Sequence, residues 1–132
     1  MSEIPTMPDT KPSIPEEAVE TAKDVLLALR PFFELDHAVL PAAYIRAFLL
    51  VAGKEGLTVS EYANLAGISP TVMTRNLLDI GELNRQRAPG LGLIEQVRDP
   101  FDLRKHRARL TPKGRKLALE LNATLRLLGR TK

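Results

Sequence analysis

The chain has 132 residues, of which 44% are hydrophobic and 27% are charged, which is about one domain's length and an ordinary composition for a globular protein. It has no cysteine and two histidines, which excludes disulfides and argues against a metal cluster, so we expect no cofactor. No apolar run of about 18 residues and no secretory signal pattern occur. We therefore expect a cytoplasmic protein without a membrane span.

The charge is unevenly distributed along the sequence. Residues 1–58 carry 5 Lys/Arg and 9 Asp/Glu, a net of −4, whereas residues 69–116 carry 11 Lys/Arg and 5 Asp/Glu, a net of +6. A basic segment on a mildly acidic base is expected of a protein that meets a polyanion on one face. A solvated basic surface without a partner would show the same pattern.

The N-terminal third predicts a lead-in and two helices. Residues 1–14 are rich in proline and poor in large apolar residues, which predicts disorder. Apolar residues at helical spacing predict a helix from Pro15 to Arg30, and Pro31 should end or kink it. A second helix over residues 41–52 begins at a proline and ends before a glycine.

The middle of the chain predicts two helices joined by a short turn. Thr58 and Glu61 match a capping box, and Gly67 can adopt the left-handed conformation that the turn needs. Ser69 can cap the next helix, over about residues 69–84, with Pro70 in its first turn. This order is the helix-turn-helix plan, although helix pairs that do not bind DNA can share it.

The last third predicts a hairpin and a final helix. Residues 93–98 and 107–110 alternate as strands do, with a polar turn between them. Alternation puts the two arginines of the second strand on its outer face, so that Ala108 and Leu110 point to the core. Thr111 and Pro112 then begin a last helix. The fold class predicted is mainly α with a small β-hairpin, that is, α+β.

Residues 57–117 resemble the multiple antibiotic resistance regulator (MarR) family. The matching pieces are LTVSEYA from 57, GIS from 67, TR from 74, GLI from 92, DPxDxR from 99 and LTPKGR from 110. The resemblance implies a single winged helix-turn-helix domain over 15–132. Its parts would be an N-terminal dimerisation region (15–40), the winged helix-turn-helix (41–110) and a C-terminal helix (111–132).

The resemblance also implies a function. The protein would be a sequence-specific double-stranded DNA-binding transcriptional regulator, a dimeric repressor that reads a pseudo-palindromic operator. Helix 69–84 would enter the major groove, and the wing, residues 93–110, would lie on the minor groove or backbone. Relatives often respond to small aromatic acids, so an effector of that kind is implied by resemblance only. Apolar stripes on both outer helices independently favour a homodimer.

The candidate DNA-contacting residues fall into two groups. Threonine hydroxyls can bond bases or phosphates, and arginine can bond a guanine in two places. The helix supplies Ser69, Pro70, Thr71, Thr74 and Arg75, and the wing supplies Arg98, Arg104, Lys105, His106, Arg107 and Arg109. Asp99 and Asp102 are expected to be wing scaffold, with Asp102 paired to Arg104. In alternative interpretations Arg75 forms a surface ion pair with Asp79, and His106 is a solvated turn residue.

The sequence departs from the family pattern in three places. Leu103 stands where an arginine is common, the segment around residues 85–90 is long, and the outer helices are short. A winged-helix module that binds protein, or a replication or partition factor, therefore stays open as an alternative. An enzyme is not expected, because the sequence has no phosphate loop or nucleophile motif, and Ser60 and Ser69 are better explained as helix caps.

Overall fold

The computed structural model describes residues 13–35, 39–84 and 86–129. Within these ranges the elements are α1 (Glu16–Phe33), α2 (Ala42–Gly53), α3 (Val59–Ala66), α4 (Pro70–Ile80), β1 (Ile94–Arg98), β2 (His106–Leu110) and α5 (Pro112–Leu127). The predicted fold class, mainly α with one small hairpin, is confirmed. Of the lead-in over residues 1–14 that was predicted to be disordered, residues 1–12 lie outside the described residues.

Helix α1 runs through Pro31 to Phe33, so of the two predicted effects, an end or a kink, Pro31 does not end the helix. Proline removes one helical N–H donor, but the helix continues for less than a turn beyond it. That extension carries Phe32 into the core, where its ring meets Phe48 edge-on at a centroid distance of 5.8 Å. The buried aromatic contact offsets the lost hydrogen bond.

The predicted caps of α3 and α4 are confirmed. The Thr58 hydroxyl accepts the N–H of Glu61 while the Glu61 carboxylate accepts the N–H of Thr58. Gly67 adopts the left-handed conformation, with φ 69°. The Ser69 hydroxyl accepts the N–H of Val72, and Pro70 occupies the first turn of α4. The angle between α3 and α4 is thus fixed by local chemistry that the sequence displays.

Helix α4 ends at Ile80, so the prediction that it extends to residue 84 was wrong. The chain turns back after Gly81, and its returning segment donates to the carbonyls at the end of the helix. The N–H groups of Leu91 and Leu93 bond the carbonyls of Asp79 and Ile80, at 3.2 and 2.8 Å. These bonds satisfy carbonyls that have no partner inside the helix, and they explain why the long segment does not prolong it.

The hairpin pairs β1 with β2 antiparallel, in a register that sets Ile94 opposite Leu110. Ala108 and Leu110 are buried, as the alternation predicts. Residues 56–58 lie beside β2 and form an isolated antiparallel bridge with it, in which Gly56 donates to the Ala108 carbonyl at 2.8 Å and Ala108 donates back to Leu57 at 3.2 Å. The wing is thereby joined directly to the chain that enters α3.

One hydrophobic core holds α2, α3, α4 and the hairpin together, and α1 lies against α5. The largest fully buried side chains are Tyr62, Phe48, Met73, Leu77, Ile80, Leu93, Ile94 and Val51. They come from every element of the helix-turn-helix and from the base of the wing. The outward faces of α4 and of the hairpin are therefore held on a rigid base.

Candidate nucleic-acid interface

Helix α4 separates a buried face from a solvent-exposed face. Met73, Leu77 and Ile80 are fully buried against the core. The predicted contact residues Ser69, Pro70, Thr71, Thr74 and Arg75 are all exposed. The helix N-terminus, with its free N–H groups and partial positive charge, is exposed beside them, and such an end attracts phosphate.

Arg75 is available for an external partner. It forms no ion pair within the described part of the chain, which leaves the alternative of a bond to Asp79 without support. Asp79 instead lies buried and accepts a hydrogen bond of 2.6 Å from the Tyr44 hydroxyl of α2. The sequence did not predict this bond, since nothing in it links positions 35 residues apart.

Arg107 has a structural position that sequence reasoning did not predict. Its guanidinium donates to the buried carboxylate of Asp99 at 2.8 and 2.9 Å and to the Gly56 carbonyl at 2.7 Å. Glu61 of α3 lies 3.9 Å away. Arg107 therefore joins the wing tip, the segment that leads into α3 and α3 itself, and most of its donors are used within the protein.

Two further basic residues of the wing are paired with acids. Asp102 accepts from the Arg104 side chain at 3.2 Å, which confirms the predicted pairing, although the Arg104 side chain stays largely exposed. Arg109 bonds Glu95 across the hairpin at 2.6 Å. Both pairs lie at the surface, where such contacts are weak and easily exchanged for another anion.

The remaining predicted wing residues, Arg98, Lys105 and His106, are exposed to solvent. Arg98 and Lys105 form no ion pair among the residues that the structure describes, and His106 is exposed at the start of β2. The interface therefore contains cations of two kinds. Some hold the wing in shape, and others are free to meet a ligand.

An open groove runs between the start of α3 and the wing. It has a volume of about 590 Å³ and is lined by Thr58, Val59, Ser60, Glu61, Arg104, Lys105, His106 and Arg107. Four of its lining residues belong to the predicted wing site, and one of these, Arg107, also braces the wing. The groove shows that α3, which leads into α4, also reaches the basic end of the hairpin.

The carboxylates of this region are held in the ionised form. The N–H of Phe101 and the guanidinium of Arg107 lower the pKa of Asp99. The N–H and hydroxyl of Thr58 lower the pKa of Glu61. The Arg104 side chain and N–H lower the pKa of Asp102. Each of these acids accepts hydrogen bonds that favour its charged form, so each stays ionised to a lower pH than an ordinary carboxyl group would.

The described residues contain no cluster of acidic or histidine side chains that could hold a metal ion. No helix in the described part of the chain is long and apolar enough to cross a membrane. The interface is thus built from helix caps, hydroxyls and cations, and its chemistry suits an extended anion.

A helix-turn-helix followed by an antiparallel hairpin and a closing helix defines a winged helix-turn-helix protein. Solved structures with this fold match the chain. A mutant of S. aureus MepR bound to an oligodeoxyribonucleotide is 18% identical, with a TM-score of 0.63 over 86% of this chain and 76% of that one. PcaV from Streptomyces coelicolor, in complex with its natural ligand, is 18% identical, with a TM-score of 0.51 over 89% and 77%.

A MarR-family transcriptional regulator from a Rhodococcus species is 16% identical, with a TM-score of 0.53 over 83% of this chain and 70% of that one. No protein-family model and no curated protein matches the sequence. The chain has the fold of the MarR-family regulators, as the resemblance of residues 57–117 implied.

Proposed function

We propose that the protein is a MarR-type transcriptional regulator, a dimeric repressor that binds double-stranded DNA sequence-specifically at a pseudo-palindromic operator. The observation that carries the proposal is the outer face of α4. That face is exposed over its whole N-terminal half and presents Thr71, Thr74 and Arg75, while the opposite face is locked in the core. The structural similarity to MepR, which was solved bound to an oligodeoxyribonucleotide, supports it.

In this proposal α4 reads the major groove. Arg75, which forms no ion pair with any residue that the structure describes, would bond a guanine in two places, and the two threonines would contact bases or phosphates. Ser69 and Pro70 would bring the exposed N-terminus of α4 close to a phosphate. Phosphate contacts fix the register of the protein, and base contacts set its sequence preference.

The wing would lie on the adjacent minor groove or backbone. Arg98, Lys105 and His106 are exposed and would contact phosphates, and Arg104 and Arg109 can exchange a surface carboxylate for one. Arg107 would act by positioning the wing, since its donors hold Asp99 and Gly56. If each subunit contacts about three phosphates, the log–log salt slope of a dimer would be roughly −5.

The dimer would form through the outer helices. Leu26 of α1 is 62% exposed and Leu119 of α5 is 67% exposed. A groove between the two helices is lined by Leu27, Pro31, Leu127 and Leu128 among others. Exposed apolar surface of this kind marks an interaction site, and a twofold dimer would place two α4 helices about 34 Å apart, one turn of DNA.

An apolar cleft offers a place for an aromatic acid effector. It lies between α1 and α2, has a volume of about 470 Å³ and is lined by Leu29, Ala42, Ile45, Arg46, Leu49 and Leu50. A ring would pack on the leucines and a carboxylate would meet Arg46. Thermal unfolding with added aromatic carboxylates tests this part, and an Arg46→Gln variant should lose any stabilisation.

The decisive experiment is selection of duplexes from a randomised 30-base-pair pool, followed by binding titrations at several salt concentrations. Arg75→Ala should weaken binding to the selected duplex roughly 10- to 100-fold and leave random DNA nearly unchanged, because a bidentate base contact is lost. Arg126→Ala, which removes the same charge from the last turn of α5, is the matched control.

The results of this experiment distinguish the proposed function from its alternatives. Recovery of no duplex would exclude sequence-specific binding and favour a winged-helix module that binds protein. Unchanged sequence preference in Arg75→Ala would remove Arg75 as a reader while leaving the fold's role in DNA binding intact. If the selected sequence occurred at a replication origin or a partition site and not in a promoter, the result would favour a replication or partition factor.

A further inference from the structure

The tip of the wing carries two exposed apolar side chains. Phe101 is 98% exposed, more than any other large hydrophobic residue in the described part of the chain, and Leu103 is 62% exposed. An isolated exposed leucine is ordinary on a protein surface, but a fully exposed phenylalanine beside it at the end of a projecting hairpin forms an apolar point.

The loop that carries this point is held in one shape. The N–H of Phe101 donates to the Asp99 carboxylate at 2.8 Å. The N–H of Asp99 donates to the Lys105 carbonyl at 2.9 Å, and the N–H of Lys105 donates to the Asp102 carbonyl at 2.9 Å. Asp99 is itself clamped by Arg107. The phenyl ring is thus presented by a braced turn, so little conformational freedom is lost when it contacts a partner.

The surroundings of the point are basic. Arg98, Arg104, Lys105 and His106 are all exposed and lie on the chain just before or just after the tip. An apolar point flanked along the chain by exposed cations matches a target whose centre is apolar and whose edges are anionic. The minor groove of a DNA duplex has this character, since two phosphate backbones flank a floor of base edges, and its width is about 6 Å.

We propose that Phe101 is an apolar wedge that enters the minor groove at the wing and partly unstacks one base step, with Leu103 against the groove wall. This inference rests on the proposed DNA-binding function and adds a specificity-determining residue to it. Side chains such as phenylalanine and leucine kink DNA when they insert in this way. The cost is lowest at flexible pyrimidine–purine steps, so the wedge would favour such a step without bonding its bases.

The test compares Phe101→Ala and Phe101→Arg with the wild type on a duplex recovered by the selection above. 2-Aminopurine is placed at each step of the outer minor groove in turn. The wild type should raise its fluorescence at one step, and Phe101→Ala should abolish that rise and bind roughly tenfold more weakly. Because Phe101 is exposed and its only described hydrogen bond is made by its backbone, neither variant should unfold the wing.

Phe101→Arg separates a wedge from simple charge. It should make the log–log salt slope more negative by about 1 for each added phosphate contact, yet it should not restore the fluorescence rise. Replacing the pyrimidine–purine step with a stiff A-tract step should weaken the wild type and leave Phe101→Ala unaffected. Ile14→Ala removes an exposed apolar side chain before α1 and should behave as the wild type.

Two outcomes would overturn the inference. If Phe101→Ala binds the selected duplex as tightly as the wild type with the fluorescence rise intact, the wedge does not exist, although DNA binding stands. If the wild type recovers no duplex, the proposed function and the wedge both fail, and the apolar point would then be assigned to a protein partner.

Discussion

Gly114 offers a direct test of how the wing is attached to α5. A Cβ atom at this position would lie 2.0 Å from the Leu93 carbonyl oxygen and 3.0 Å from its carbon. That carbonyl cannot rotate away freely, because it accepts the Thr111 N–H at 3.1 Å. Gly114→Ala must therefore push the start of α5 away from the strand that leads into the hairpin.

The size of the effect follows from two opposed contributions. Alanine is favoured over glycine within a helix by about 0.5–1 kcal/mol. Overpacking a close contact costs about 1–3 kcal/mol, and more where backbone must move. Since the atom displaced is backbone, we expect a net loss of about 1–3 kcal/mol in the free energy of unfolding, together with weaker binding to a selected duplex because the wing shifts.

Urea unfolding followed by circular dichroism measures the change. Gly53→Ala is the matched control, since Gly53 ends α2 and a Cβ there would meet nothing within 4 Å. That control should be as stable as the wild type or more stable by up to about 1 kcal/mol. If Gly114→Ala matched the control, the contact between α5 and Leu93 would not be as close as the structure shows, and the reasoning would be wrong.

Three further predictions concern the core, the wing and the dimer. Tyr62→Phe should cost about 1–3 kcal/mol in urea unfolding, because the buried hydroxyl bonds two main-chain groups; an unchanged midpoint would contradict this. Burial raises the pKa of Tyr62, so the contribution of its hydroxyl to the free energy of unfolding is complete below the ordinary value of 10.0. That contribution should fade as the pH rises through the folded-state pKa. Tyr62→Phe should lack this loss of stability at high pH. Because the N–H of Phe101 and the guanidinium of Arg107 lower the pKa of Asp99, the contribution of Asp99 to the stability of the wing is complete above the ordinary value of 3.8. It should be lost as the pH falls through the folded-state pKa, seen as lower protection of the wing amides relative to their intrinsic exchange rate at each pH. Leu26→Lys should shift sedimentation at micromolar concentration from dimer to monomer, and a wild type that is already monomeric would refute the proposed dimer.

Local chemistry made much of the fold predictable. The helix caps at Thr58, Ser69 and Thr111 and the left-handed turn at Gly67 could be predicted because each depends only on residues a few positions away in the sequence. The alternation that buries Ala108 and Leu110 and exposes Arg109 between them is equally local. These signals predicted the order of the elements and the inner face of the hairpin.

The features that the sequence did not predict correctly depend on contacts between segments that are distant in the chain. Pro31 stays helical because Phe32 reaches Phe48, and α4 stops at Ile80 because residues 91–93 return to its end. The role of Arg107 depends on Gly56, which lies 51 residues earlier. A basic residue on the outer face of a strand has the same pattern whether it meets DNA or a carbonyl of its own chain, so the sequence could not distinguish the two.

The division of the wing cations changes how the charge of the segment should be understood. The net of +6 over residues 69–116 suggests a uniformly basic surface, but Arg107 serves to fix Asp99, and Asp99 in turn holds the N–H of Phe101. Removing Arg107 would therefore lose more than one positive charge, because the tip would no longer be braced. Arg107→Lys keeps the charge and loses the forked geometry, so a large loss of affinity in that variant would show that shape, and not charge alone, is what this arginine supplies. If Arg107→Lys bound a selected duplex as the wild type does, its contribution would be electrostatic and the bracing role would be wrong.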